Sequence, residues 1–212
     1  MPRKATVTGL DLAAVNSGFC KIEAHLTADG QISVEVLDHE PIELKRKDCV
    51  GRFELAPKVA DLALGSDLVA IEDYAMRVGK SNTTAYQCGE FVGPTKAHLI
   101  SHGINMLIVP PTSMRSMLGV PTGPAGKKFI MAWVKERFGF VPEYGREKQR
   151  SDVADACVHA YIGAIYYFIQ SGWIDGSMLT DREHRIFYGV KDHRKSKQFV
   201  GLLDRDGIYL EN

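Results

Sequence analysis

Four carboxylates carry the chemistry this chain could perform. Asp11 closes a short β-prone run, Ala5-Thr6-Val7-Thr8-Gly9-Leu10-Asp11, and Glu72 closes a second, Asp67-Leu68-Val69-Ala70-Ile71-Glu72. Asp152 and Asp155 stand three apart in a helical stretch, so they share one face of it. Taken singly, each has a plain explanation. Asp11 reads as a turn residue capped by its own backbone. The Asp pair reads as a first-turn pair behind a Ser151 N-cap, where the helix dipole favours carboxylates. Together they ask for more, because carboxylates converging in one place repel each other and hold their protons unless divalent cations neutralise them. Oxygen-only ligands suit Mg²⁺, with Mn²⁺ as a substitute. Two such ions about 4 Å apart are the clamp for in-line displacement at a phosphodiester.

The elements that must position these residues follow from pattern. Beyond the first run, 18–28 and 31–37 alternate loosely between apolar and polar side chains around an Asp29-Gly30 turn, which predicts three antiparallel strands in a row. A helix is expected over 51–64, capped by Asp48 and holding Pro57 in its first turns. The continuous apolar run before Glu72 suits a buried parallel strand. A helix follows over 83–102, with Pro94 inside it and Gly89 and Gly93 four apart. Those glycines would admit another helix closely, or merely fit this one to its own sheet. A fifth strand over 104–109 stops at Pro110-Pro111, and a short helix over 112–118 leads to a Gly/Pro-rich loop. Lys127-Lys128 opens the next helix, with Ile130, Trp133 and Val134 inward, and a basic segment over 143–150 precedes the most periodic helix, 151–170. The fold expected is α/β: a five-stranded mixed sheet, three antiparallel strands then two parallel, flanked by helices. Residues 1–171 form that domain, and 172–212 a charged appendage with β-prone runs at 186–190, 199–203 and 208–210.

Bulk properties exclude little. The 212 residues are 45% hydrophobic, enough for a full core, and Lys+Arg balance Asp+Glu at 26 each. Any polyanion must therefore be gripped by local cations. The expected set is Arg77 and Lys80 after the second acidic strand, Arg115, and Lys127-Lys128 at a helix start, where free amides also favour an anion. Tyr74, beside Glu72, could stack on an unpaired base or sit as a core tyrosine at a strand end. The widely spaced Cys20, Cys49, Cys88 and Cys157 read as reduced thiols. No stretch reads as a signal peptide or a membrane span, and a cytoplasmic protein is expected.

The chain resembles the RuvC family of Holliday-junction resolvases, within the RNase H-like superfamily. The resemblance runs over about residues 5–170 and rests on Gly9-Leu10-Asp11 with Ser17-Gly18, Ala70-Ile71-Glu72, and Cys88-Gly89-Glu90-Phe91-Val92-Gly93. It continues through Val109-Pro110-Pro111, Gly123-x-Ala125-x-Lys127 and Asp152-Val153-Ala154-Asp155-Ala156. It implies an RNase H-like fold and a DNA endonuclease in which Asp11, Glu72, Asp152 and Asp155 bind two Mg²⁺ ions. Lys127 would contact the scissile phosphate. It further implies branched DNA as substrate, a four-way junction foremost, and a homodimer joined through the 83–102 helix. Leu12-Ala13 departs from the Pro-Gly common after the first Asp in bacterial members, and Tyr74 falls one position before the aromatic the pattern expects. These departures point to a divergent member, as in phages, where relaxed specificity for forks, flaps and Y-junctions occurs.

Two other classes compete. An actin-like ATPase would need a glycine-rich phosphate loop after Asp11, and Leu12-Ala13-Ala14-Val15 is poor for that, so no nucleotide cofactor is expected. A non-catalytic DNA-binding subunit on the same core would gain nothing from carboxylates aimed at phosphates. His159, one turn beyond Asp155, reads as a supporting or core residue and not as a ligand.

Overall fold

The computed structural model describes residues 3–73, 82–123, 125–192, 197–199 and 202. The first three strands, β1 (Arg3–Asp11), β2 (Asn16–Leu26) and β3 (Ile32–Glu43), form an antiparallel meander. Helix α1 (Cys49–Leu62) leads to β4 (Leu68–Glu72), and α2 (Asn82–Ser101) leads to β5 (Met106–Val109). Both strands run parallel to β1, giving the sheet order β3-β2-β1-β4-β5. The expected mixed five-stranded sheet is therefore the one observed. Three helices follow: α3 (Pro111–Leu118), α4 (Ala125–Phe138) and α5 (Glu147–Gln170).

Helices cover both faces of the sheet. Val7, Cys20, Ile22, Leu68, Ala70 and Leu107 pack with α3, α4 and α5 on one side. Leu10, Phe19, Val69, Ile71 and Met106 pack with α1 and α2 on the other. The period of two along β1 and β4 produces this division. It sends Gly9 and Asp11 to the α5 side, with Ala70 and Glu72. The same logic makes β4 a continuous apolar run, since both of its faces are buried.

Four local expectations need correction. Asp48 does cap α1, accepting from the Gly51 N–H at 2.8 Å, but the helix starts at Cys49 and places Pro57 in its interior. Ser151 is not an N-cap, because α5 starts at Glu147, where Gln149 Oε1 accepts from the Arg146 N–H at 3.1 Å. Asp152 and Asp155 therefore lie past the first turn and gain little from the helix dipole. Residues 186–188 are not β: they end α6 (Asp181–Tyr188), whose Thr180 cap accepts from the Glu183 N–H. A charged face with Ile186 and Phe187 buried makes that segment an amphipathic helix.

Residues beyond 171 add to the main core, since Ile174, Ile186, Phe187 and Leu202 belong to the cluster on the α5 side. Arg182 of α6 donates to the Leu118 carbonyl of α3 at 3.3 Å. A small hairpin, β6 (Val190–Asp192) with β7 (Lys197–Phe199), follows. The β-prone run expected at 208–210 lies outside the described residues. All four cysteines are free, and no described helix is long and apolar enough to cross a membrane.

Candidate active site

The site is assembled where β1 and β4 end. Leu10 pairs with Ile71 across the two parallel strands, so Asp11 and Glu72, the next residues, leave the sheet side by side. The turn after Asp11 is closed by Ser17 and not by Asp11: the Ser17 Oγ accepts from the Ala13 N–H at 2.9 Å. Asp11 is thereby left to the site, and its reading as a self-capped turn residue falls away. Helix α5 supplies the other two carboxylates. It lies against the sheet because two strand residues facing it have no side chain. A Cβ on Gly9 would stand 2.0 Å from the Ala156 carbonyl oxygen, and one on Gly18 would stand 2.0 Å from that of Asp152. Gly18 is the β2 partner of Asp11. The Asp152 backbone thus rests on the residue paired with Asp11, and Asp155 follows one turn further along.

This close approach is testable by substitution. Gly18→Ala drives a methyl into the backbone of the residue it supports, and overpacking of this kind costs about 1–3 kcal/mol. For a chain of this length that is a fall of roughly 2–12 °C in melting temperature. Thermal melting followed by circular dichroism should show it, and an unchanged midpoint would mean that α5 does not rest on β2.

Burial and mutual repulsion set the charge state. Asp11 is 7% exposed and Asp152 8%, while Glu72 and Asp155 are half-buried. The Asp11 carboxyl is held well above the ordinary carboxylate value, first by burial, then by Glu72 and by the charges of Asp155 and Asp152. Burial, Glu72 and Asp152 push Asp155 up to about 7, against the pull of Arg115 and Lys127. Burial also lifts Asp152 to about 6, and here Lys148 and Lys127 oppose it. One Asp152 oxygen, Oδ2, is buried without a hydrogen-bond partner. Four carboxylates, one of them with an orphaned buried oxygen, form an all-oxygen donor set, which fits a hard divalent cation.

No three of these four carboxylates come within 4.8 Å of one another. Among the described residues the trio that does is Glu23, His25 and Glu35 on β2 and β3. It was not among the expected ligands, and Glu23 is already bridged to Lys4 at 2.8 Å.

The expected cations divide into two groups. Lys127, Lys128 and Arg115 are exposed, and the charges of Lys127 and Arg115 reach the aspartates. Lys127 and Lys128 line a cleft of about 350 Å³ with Met131, Glu147, Arg150 and Ser151, directly before Asp152 in the chain. Gly126 packs where a Cβ would lie 2.8 Å from the Pro121 carbonyl oxygen, which sets the start of α4. Tyr74, Arg77 and Lys80 lie outside the described residues. Sequence reasoning missed Lys148 and Arg150 as individual site residues. Starting α5 at Glu147 would have revealed Lys148, which then sits one turn before Asp152.

Among the described residues, a Cβ on Gly89 or Gly93 of the expected interface helix meets nothing within 4 Å. These glycines are therefore not there to fit α2 to its own sheet.

No protein-family model matches the sequence, and no curated protein does. Solved structures do resemble it in fold. Thermus thermophilus RuvC in complex with a Holliday junction substrate superposes with a TM-score of 0.58 at 15% identity, over 79% of this chain and 97% of that one. A second Thermus thermophilus RuvC structure gives 0.57 at 16% identity, over 79% and 96%. The yeast mitochondrial Holliday junction resolvase Ydc2 gives 0.47 at 16% identity, over 89% and 81%. At these identities the likeness to RuvC is one of fold: the chain has a RuvC-like, RNase H-like fold.

Proposed function

We propose that this RuvC-like fold is a divalent-cation-dependent, structure-specific endodeoxyribonuclease that cuts branched DNA, acting as a homodimer on four-way junctions through paired symmetric nicks. One observation carries the reading: Asp11, Glu72, Asp152 and Asp155 meet at one end of the sheet, three of them with carboxyls held above their ordinary values. A binding surface for a polyanion has no use for such a cluster. The junction substrate comes from the fold neighbour solved in complex with one. The dimer is inferred from the Gly89/Gly93 face of α2, open among the described residues, and from the two-fold symmetry that paired cuts require.

Asp11, Glu72, Asp152 and Asp155 would hold the cations, Mg²⁺ or Mn²⁺ in its place. When bound, these supply Lewis-acid polarisation of the phosphoryl oxygen and an acidified water. The chain's own residues do the rest. The buried aspartates keep the site dry and fixed, so that its charges act in a low dielectric. Lys127 and Arg115 lie close enough to act on Asp155, and from there they can face a phosphate oxygen as negative charge builds on it. Lys128 and Arg150, along the neighbouring cleft, hold the adjoining backbone.

Cleavage mapping on labelled four-way, three-way, flap and linear DNAs tests the reading. Paired nicks on the four-way junction, dependent on Mg²⁺, are expected. Equal cutting of forks and flaps would shift the reading to a branched-DNA nuclease of relaxed specificity, and no cutting of any branched substrate would overturn it. In the same panel Lys127→Ala should lower the single-turnover rate about 10–100-fold, with junction affinity changed less than about threefold, as for a group that acts in the transition state. A wild-type rate would make Lys127 an ordinary surface lysine.

A further inference from the structure

We propose that His159 is a positioning residue: one ring nitrogen, unpartnered here, becomes the donor that holds the Glu72 carboxylate once that carboxylate turns into the orientation that binds a divalent cation. This rests on the reading of the four-carboxylate site given above.

The placement follows from where α5 crosses β4. A Cβ on Gly163 would lie 3.0 Å from the Ala70 Cβ and 2.8 Å from the Val7 Cγ1, so that helix position sits over β1 and β4. His159 is one turn nearer the site, about 6 Å along the helix. Glu72 is two residues past Ala70 on the same face, about 6.6 Å along the strand. The imidazole is thus brought level with Glu72, and Glu72 is the carboxylate whose charge acts on it.

The state of the ring is the second observation. His159 is fully buried, and neither Nδ1 nor Nε2 has a hydrogen-bond partner. Buried polar atoms are paired as a rule, and a leucine or phenylalanine here would avoid the cost of leaving them unpaired. The positions beside it on α5, Val158 and Ala160, are apolar and fully buried. A polar side chain kept there makes physical sense where a nitrogen engages a group that reorients. Metal-binding carboxylates are held in this way by donors behind them. Glu72, at the end of a strand and half-buried, is the ligand in register with that donor.

Calorimetric titration of the full chain with Mn²⁺, without DNA, tests the proposal on wild type, His159→Leu, His159→Gln and Asp155→Asn. His159→Leu should weaken Mn²⁺ binding about 10–100-fold while melting at or above wild type in the absence of cation. His159→Gln, which keeps a donor, should recover binding to within about threefold. Wild-type affinity in His159→Leu, or no recovery in His159→Gln, overturns the proposal and leaves the four-carboxylate reading standing. Identical titrations of wild type and Asp155→Asn sink the site reading itself, and this proposal with it. His159→Phe stands in if His159→Leu does not melt cooperatively. Failure of both also overturns the proposal, because the ring is then a packing residue.

Discussion

Asp11→Asn and Glu72→Gln should each abolish the proposed Mg²⁺-dependent nicking of a four-way junction and leave junction binding unimpaired. Loss of a residue that hydrogen-bonds a metal ligand costs about 10–100-fold, so loss of the ligand charge itself should exceed about 100-fold. Binding follows a different logic. Affinity for DNA comes from cations neutralising phosphates, and each of these substitutions removes a negative charge from the path of the backbone. Neither should disturb the fold. In Asp11→Asn the new amide keeps the side chain's size and can still hydrogen-bond Glu72. In Glu72→Gln the new side chain stays at a strand end whose four preceding residues are buried. Single-turnover cleavage and gel-shift isotherms on one junction check both halves. Nicking at close to the wild-type rate in either variant removes the four-carboxylate site, and weakened binding with cleavage intact reverses the assignment of roles.

How much of this was legible in the sequence depends on the range of the interaction concerned. Asp11 and Glu72 could be read because an apolar run ending in a carboxylate is a local pattern, and the sheet places both where that pattern implies. Asp152 and Asp155 could be read from their spacing on one helix face. Their context could not. Ser151 before Asp152 resembles a cap, yet the start of α5 is set earlier, by Gln149 folding back on Arg146. The contact that brings α5 to the strand ends is between Gly18 and the Asp152 backbone, far apart in the chain, and no local pattern announces it. The tail failed for a different reason. Ile186, Phe187 and Tyr188 have high β propensity, while Thr180 followed three residues later by Glu183 marks a helix start. The capping box and the burial of Ile186 and Phe187 against the core outweigh the propensity.

Without divalent cations, neutralising one site aspartate should make the protein more stable near pH 8. Asp155 is moved from 3.8 to about 7 and Asp152 from 3.8 to about 6, and Asp11 is also held well above its ordinary value. Between the unfolded and folded values the native state holds more protons than the unfolded chain, so stability falls as pH rises. The contribution is fully present below about pH 4 and is lost progressively up to about pH 7. A carboxyl moved from 3.8 to about 7 corresponds to roughly 4 kcal/mol at most. Part of that repulsion is shared with Glu72 and Asp152, so about 2 kcal/mol is expected from one substitution. Asp155→Asn should therefore melt roughly 4–8 °C above wild type at about pH 8 in chelator. The two should coincide near pH 4, where Asp155 is protonated in the folded state and half-protonated in the unfolded one. Millimolar Mg²⁺ should reverse the order at the higher pH, since a ligand that binds only the folded state stabilises by mass action and the variant has lost a donor. Melting curves at the two pH values, each with and without Mg²⁺, decide it. A variant that melts at or below wild type in chelator at the higher pH would show that these carboxylates are not held against their own repulsion. The strain that makes them a cation site would then be absent.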